Sequence, residues 1–276
     1  VKLERIALRT NAWIELHTWL ATLARDGAAD RVPDFTPAVH AYEDALAKDE
    51  EGKELDRATD ELLACGDDAC ARRAVAPTSY APGFDAALAP FVMQRWGDLE
   101  ASSSHAIDEV RAAYGPEADA LGERVVRELD ATWPNEPVAI AVVSESPSPS
   151  RALITTALAA NGRCFRRERG ERQRLHDARI IDCVLVRAAL PLRTRSRLYA
   201  ALAHQMPTTS LDRAWTTIVV HVVASVVTGW EPKHASVYRR SAAAAEPRAL
   251  AWLVEHWREH ADEAFVAQFA HTLDAP

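Results

Sequence analysis

Residues 138–143 read Val-Ala-Ile-Ala-Val-Val, and this run decides the fold class. Four of the six are β-branched, and the run is bounded by Pro137 and Ser144, which predicts a short strand. Upstream, the apolar residues repeat with helical spacing. From residue 192 onward the helical period returns. Strands in one block between helical blocks predict an α+β protein, mostly α, rather than an alternating α/β one.

Working back from the strand, Thr10-Asn11 can cap a helix whose Trp13, Leu16, Leu20 and Leu23 share one face. Thr36-Pro37 reads as an N-cap followed by proline at the first helical position. Residues 55–65 predict a third helix, and 76–82, with two prolines, a loop. Residues 84–114 predict a helix bent near Pro90. Gly115-Pro116 is expected to end it before another helix over 117–133. These helices are expected to form an N-terminal bundle. Working forward, the Ser- and Pro-rich stretch 144–150 reads as a loop. Residues 153–156, 163–167 and 180–186 predict further strands, with Asn161-Gly162 as a turn. Residues 192–206, 211–227, 247–260 and 262–273 predict helices. The expected division is 1–134, helical, and 135–276, α+β, or one continuous domain.

The 276 residues carry a net charge of −8, which argues against a general nucleic-acid binder. The longest apolar run, 218–227, is interrupted by His221 and Ser225 and is too short for a membrane span. Residues 163–197 hold eleven Arg against four acidic residues. With 28 Arg and four Lys in the whole chain, a solvated Arg-rich hairpin is the plain reading. The sharper one is a docking patch for an anionic partner formed by Arg163, Arg166, Arg167, Arg169, Arg172 and Arg174. Cys65 and Cys70 bracket a short turn, and Cys164 and Cys183 fall in strands that could be neighbours. Two disulfides would mean an oxidising compartment, and four free thiols the cytosol. Export to the periplasm or beyond is the expectation, with a leader removed ahead of Val1.

Two stretches bear on chemistry. Leu198-Tyr199-Ala200-Ala201-Leu202-Ala203-His204 carries a His at the end of a helical turn. His256-Trp257-Arg258-Glu259-His260 matches the inverted His-x-x-Glu-His pattern. A zinc hydrolase of the first kind needs two His one turn apart, a Glu to take a proton from bound water, and a ligand from a following helix. Asn11-Ala12-Trp13-Ile14-Glu15-Leu16-His17 and Trp133-Pro134-Asn135-Glu136-Pro137-Val138 resemble motifs of a family of secreted bacterial zincin-like proteins of the gluzincin type, predicted metallopeptidases. The resemblance implies a zincin-like frame with edge strands at 153–156 and 180–186. It also implies that Ala200 stands for the first His, Ala201 for the Glu, His204 for the second His and Ser225 for the last ligand. Two ligands and the base are then missing, and one imidazole does not hold zinc at useful affinity.

The expected protein is therefore a catalytically inactive pseudo-peptidase, without cofactor, that binds or scaffolds a protein or peptide partner. One alternative is an active zinc-dependent hydrolase using His256, Glu259 and His260. The other is a structural component of a larger assembly. The sequence offers no Gly-x-Ser-x-Gly elbow and no Gly-rich phosphate loop. Ser102-Ser103-Ser104-His105 reads as a polar helix face, and His221 as a core histidine.

Overall fold

The computed structural model describes residues 5–49, 52–144, 153–155, 180–227, 229, 247–257 and 263–274. The protein is mostly helical with a small sheet, as an α+β sequence should be. It divides into two compact units, each made of separate stretches of chain. One comprises residues 7–110 and 139–160; the other comprises 1–6, 111–138 and 161–276. The expected boundary near residue 134 is thus replaced by a chain that passes repeatedly between units.

The first unit is built on strand β1 (Ile6–Arg9), helix α1 (Ala12–Arg25), α2 (Thr36–Lys48), α3 (Lys53–Leu63), α4 (Asp68–Val75) and α5 (Ala81–Phe91). Strands β2 (Val138–Val143) and β3 (Leu153–Thr155) complete a sheet of order β1-β2-β3. β2 and β3 run parallel, with Ala141 opposite Leu153 and Val143 opposite Thr155. Asn11 starts α1 as expected, its side-chain oxygen accepting from the Ile14 N–H at 2.8 Å. Leu16 and Leu20 are fully buried. Trp19 packs edge-on against Phe35 with ring centroids 5.0 Å apart and lies tilted against Phe91 at 5.5 Å.

Thr36 is not the cap that its place before proline suggested. It is the first residue of α2, and its hydroxyl donates back to the carbonyls of Ala29 and Val32. Ala29 opens the first of two short 3₁₀ turns, Ala29–Arg31 and Pro33–Phe35, and Val32 joins them, in a stretch whose residues carry no periodic signal of a turn. Pro82, expected in a loop, lies in the first turn of α5, where its missing N–H costs nothing. A π-turn, Val92–Trp96, follows Phe91 and leads into α6 (Gly97–Glu128).

Helix α6 runs on through Gly115 and Pro116, where a break was expected. Glycine and proline cost about 1 and 3 kcal/mol inside a helix. The buried residues on either side, Ile107 and Val110 before, Ala118, Val125 and Val126 after, offset that cost.

The second unit contains the end of α6 with α7 (Ile180–Ala189), α8 (Arg197–Gln205), α9 (Thr208–Val227), α10 (Pro247–His256) and α11 (Glu263–Asp274). The expected strand at 180–186 is α7, a correction with a simple cause. A short apolar run does not distinguish a strand from a buried helix by period alone. Here Arg187-Ala188-Ala189 prolongs it, and Val184, Leu185, Ala188 and Ala189 form one buried helical face. Residues 192–206 are not one helix either. A 3₁₀ turn, Leu190–Arg195, stops at Ser196, which caps α8 by accepting from the Tyr199 N–H. The Ser196 hydroxyl also donates to the Leu129 carbonyl at 2.7 Å, and the Arg197 N–H to the Asp130 carbonyl at 2.9 Å.

Within α9, the window Ser210–Val227 is long and apolar enough to cross a membrane by length and composition, contrary to the expectation that no stretch would qualify. It is 72% buried inside the protein and serves as the core helix of its unit. The Trp215 indole donates to the Leu190 carbonyl at 2.9 Å, and Tyr199 packs edge-on against the same ring. The expected strand at 163–167 lies outside the described residues.

Candidate functional site

The most concentrated chemistry among the described residues lies on the buried face of α1. Glu15 and His17 are both fully buried there. Burying a carboxylate and an imidazole is costly unless each is hydrogen-bonded. Both carboxylate oxygens of Glu15 accept from the Ser144 N–H, at 3.0 and 2.9 Å, and the Ser144 hydroxyl donates to the same carboxylate. Ser144 is the residue just past β2, so Glu15 ties α1 to the end of the central strand.

His17 points to α2 and α3. Its Nδ1 lies 2.7 Å from the Tyr42 hydroxyl and its Nε2 3.4 Å from the Leu55 carbonyl. A carbonyl only accepts, so Nε2 carries the proton and the Tyr42 hydroxyl donates to Nδ1. Tyr80 and Phe84 close over the ring edge-on. Burial lowers the His17 pKa to about 4, against a smaller upward push from the Leu55 carbonyl. Burial likewise raises the Tyr42 hydroxyl far above its ordinary range. Tyr80 is raised by burial and then by Asp49, to which its hydroxyl donates at 3.2 Å.

Asp49 and Glu54 extend this network. Asp49 accepts from the N–H groups of Glu54 and Leu55 and so caps α3. Glu54 accepts from the N–H and hydroxyl of Ser79, which hold its carboxyl below the usual range. At neutral pH the arrangement presents a neutral imidazole with both nitrogens engaged, two un-ionised phenols, and carboxylates committed to backbone donors. It is suited to fixing helices α1, α2, α3 and α5 against one another. Glu15 and His17 lie in the Asn11–His17 motif, which by itself assigns them no role. Their position inside an apolar helix face was the available signal.

The positions matched to a zinc site fall apart. Ala200 and His204 are exposed on α8, and Ala201 is half-buried. Ser225 is completely buried near the far end of α9. Only Met206 and Pro207 join the two helices. Residues 208 and 225 are therefore separated by seventeen steps of helix, roughly 26 Å. Most of the sequence between His204 and Ser225 is spent along one uninterrupted helix. The three side chains do not line a common cleft. His221, on the same helix, is a buried core residue with its ring 5.0 Å from Trp257.

Of the inverted motif, His256 is described, and Glu259 and His260 lie outside the described residues. The Nδ1 of His256 bonds the Trp252 carbonyl at 2.9 Å, and its ring stacks on Trp252. Trp257 turns inward, and its indole donates to Glu128 at 3.2 Å. In the serine run, Ser103 is buried while Ser102, Ser104 and His105 face outward, and His105 pairs with Glu109 one turn on. No group of three or more metal-ligating side chains is assembled among the described residues.

Cys65 and Cys70 are joined by a disulfide, their Cα atoms 5.4 Å apart. The bond links the end of α3 to the first turn of α4. Nearby, the Trp13 indole donates to Asp68 at 2.7 Å and Arg72 pairs with Asp85. Cys164 and the side chain of Cys183 lie outside the described residues. So do Arg163, Arg166, Arg167, Arg169, Arg172 and Arg174. From the same basic segment, Arg193 pairs with Asp212 at 2.7 Å, and Arg187, on α7, has its pKa drawn down to about 10 by burial.

No family model matches the chain, and neither a curated protein nor a solved structure is similar to it.

Proposed function

We propose that this protein acts by binding, as a scaffold or recognition partner for another protein or peptide in an oxidising compartment outside the cytosol. The observation that carries the reading is the fate of the ionisable groups around His17, of which Glu15 and His17 are fully buried and Asp49 and Glu54 half-buried. Glu15, His17, Asp49 and Glu54 are spent on holding helices and strand together. Ala200 and Ala201 add no donor atom of their own. The Cys65–Cys70 bond supports export, because such bonds persist where thiols are not kept reduced. A zincin ancestry rests on the Trp13 and Trp133 motifs alone, and no peptide-binding cleft at the Ala200, His204 and Ser225 positions enters this proposal. If the partner is acidic and meets the Arg-rich segment, its affinity falls steeply with salt.

The test is a mixed peptide library incubated with the purified protein, with and without zinc, and read by mass spectrometry. Retention of particular peptides with no new chain ends is the expected result. A second reading, zinc-dependent hydrolysis, draws on the His256 ring. Its bond to the Trp252 carbonyl leaves Nε2 as the nitrogen with a lone pair, the arrangement common in metal-bound histidines. New peptide ends that vanish in His256→Ala would replace the first reading with this one.

A further inference from the structure

The chain has two methionines, and the fold treats them oppositely. Met206 is 7% exposed at the end of α8. Met93 is 78% exposed and, with Val92 at 41%, makes up the large exposed apolar side chains among the described residues. Its exposure follows from local geometry. Pro90 sits inside α5, and the helix responds with the π-turn Val92–Trp96, none of whose residues is buried. Arg95 of the same turn lies over the Trp19 ring at 4.5 Å, which anchors the turn from its other side.

We propose that Met93 is a site of selective, reversible oxidation by peroxide-class oxidants. The thioether sulfur attacks the terminal peroxide oxygen. An S–O bond forms as the O–O bond breaks, the sulfur loses two electrons, and the second peroxide oxygen, taking the proton of the transferred one, leaves as water, or as an alcohol where the oxidant is an alkyl hydroperoxide. The product is the sulfoxide, polar where the thioether was apolar, and a sulfoxide reductase reverses it. The exposed side chain fills no core space, so the fold accepts the change. The effect is confined to the surface, where Val92 and the modified residue cease to be an apolar spot.

Two measurements on the full native chain test this. Dilute hydrogen peroxide is added and the two methionine-containing peptides are followed by mass spectrometry. Met93 should oxidise on the order of tenfold faster than Met206, with the difference lost in urea. Protein singly oxidised at Met93 should keep its thermal midpoint. Equal native rates would show Met93 to be covered and overturn the proposal. A lowered midpoint after oxidation at Met93 alone would overturn its claim that the fold accepts the change.

Discussion

At the scale of the residue, His17 is the group whose environment most changes its behaviour. Held neutral with a pKa of about 4, it takes up no proton as the pH falls below its ordinary value of 6.5, whereas the unfolded chain does. A group whose folded pKa is depressed contributes stability that is complete above the unfolded value and is lost as the pH falls. Between pH 6.5 and 4 this one residue should remove about 3 kcal/mol of stability. His17→Gln keeps a polar side chain there and abolishes the titration. The variant should be less stable at pH 8, and its urea midpoint should change less between pH 6.5 and 4 than that of the natural chain. An equal slope in both proteins would remove His17 from the acid response. Gly83 makes a second residue-scale case. A Cβ built there would lie 2.7 Å from the Tyr42 ring and 2.8 Å from the Ala38 carbonyl oxygen, a backbone atom that does not give way. Gly83→Ala should therefore lower stability by roughly 1–3 kcal/mol in denaturant titration, although alanine favours the helix it would join.

Elements are where the sequence was easiest and hardest to read. The Asn11 cap, the strand β2 and the spacing of Leu16 and Leu20 were legible because one local interaction, or one period, accounts for each. Residues 180–186 were not, since six apolar residues around Asp182 satisfy either a strand or a buried helix, and the tertiary setting chose helix. The Gly115-Pro116 signal was overruled by burial on both sides of it. The candidate zinc positions failed for a related reason. Their separation in residues does not reveal the length of α9, which carries Ser225 far from His204. The disulfide was legible from its turn. It closes so small a loop that it should contribute only about 2 kcal/mol. Alkylation without reductant should leave Cys65 and Cys70 unlabelled, and Cys70→Ser should lower the urea midpoint while α4 stays docked through Trp13–Asp68. Labelling of both thiols in protein from an oxidising compartment would reject the bond.

For the whole molecule, the decisive property is that neither unit is a continuous stretch of chain. A sequence split at residue 134 assumes that neighbours along the chain are neighbours in the core, and here they are not. The second unit needs residues 111–138. Leu129 receives the Ser196 hydroxyl, Asp130 receives the Arg197 N–H, and Glu128 receives the Trp257 indole. Gly122 supplies the close approach that lets the Trp133 ring lie against the end of α6, where a Cβ would stand 3.2 Å from it. A fragment starting at 135 loses all of these at once and leaves the caps of α8 and the buried face of α10 without partners. A fragment spanning 111–276 keeps them. The longer fragment should unfold in urea as a cooperative transition with a near-ultraviolet signal from Trp215 and Trp257 in fixed surroundings. The shorter one should show helix without that signal, the mark of collapsed chain lacking specific packing. Equal cooperativity in the two fragments would mean that the end of α6 is dispensable, and that the division of the core follows the chain after all.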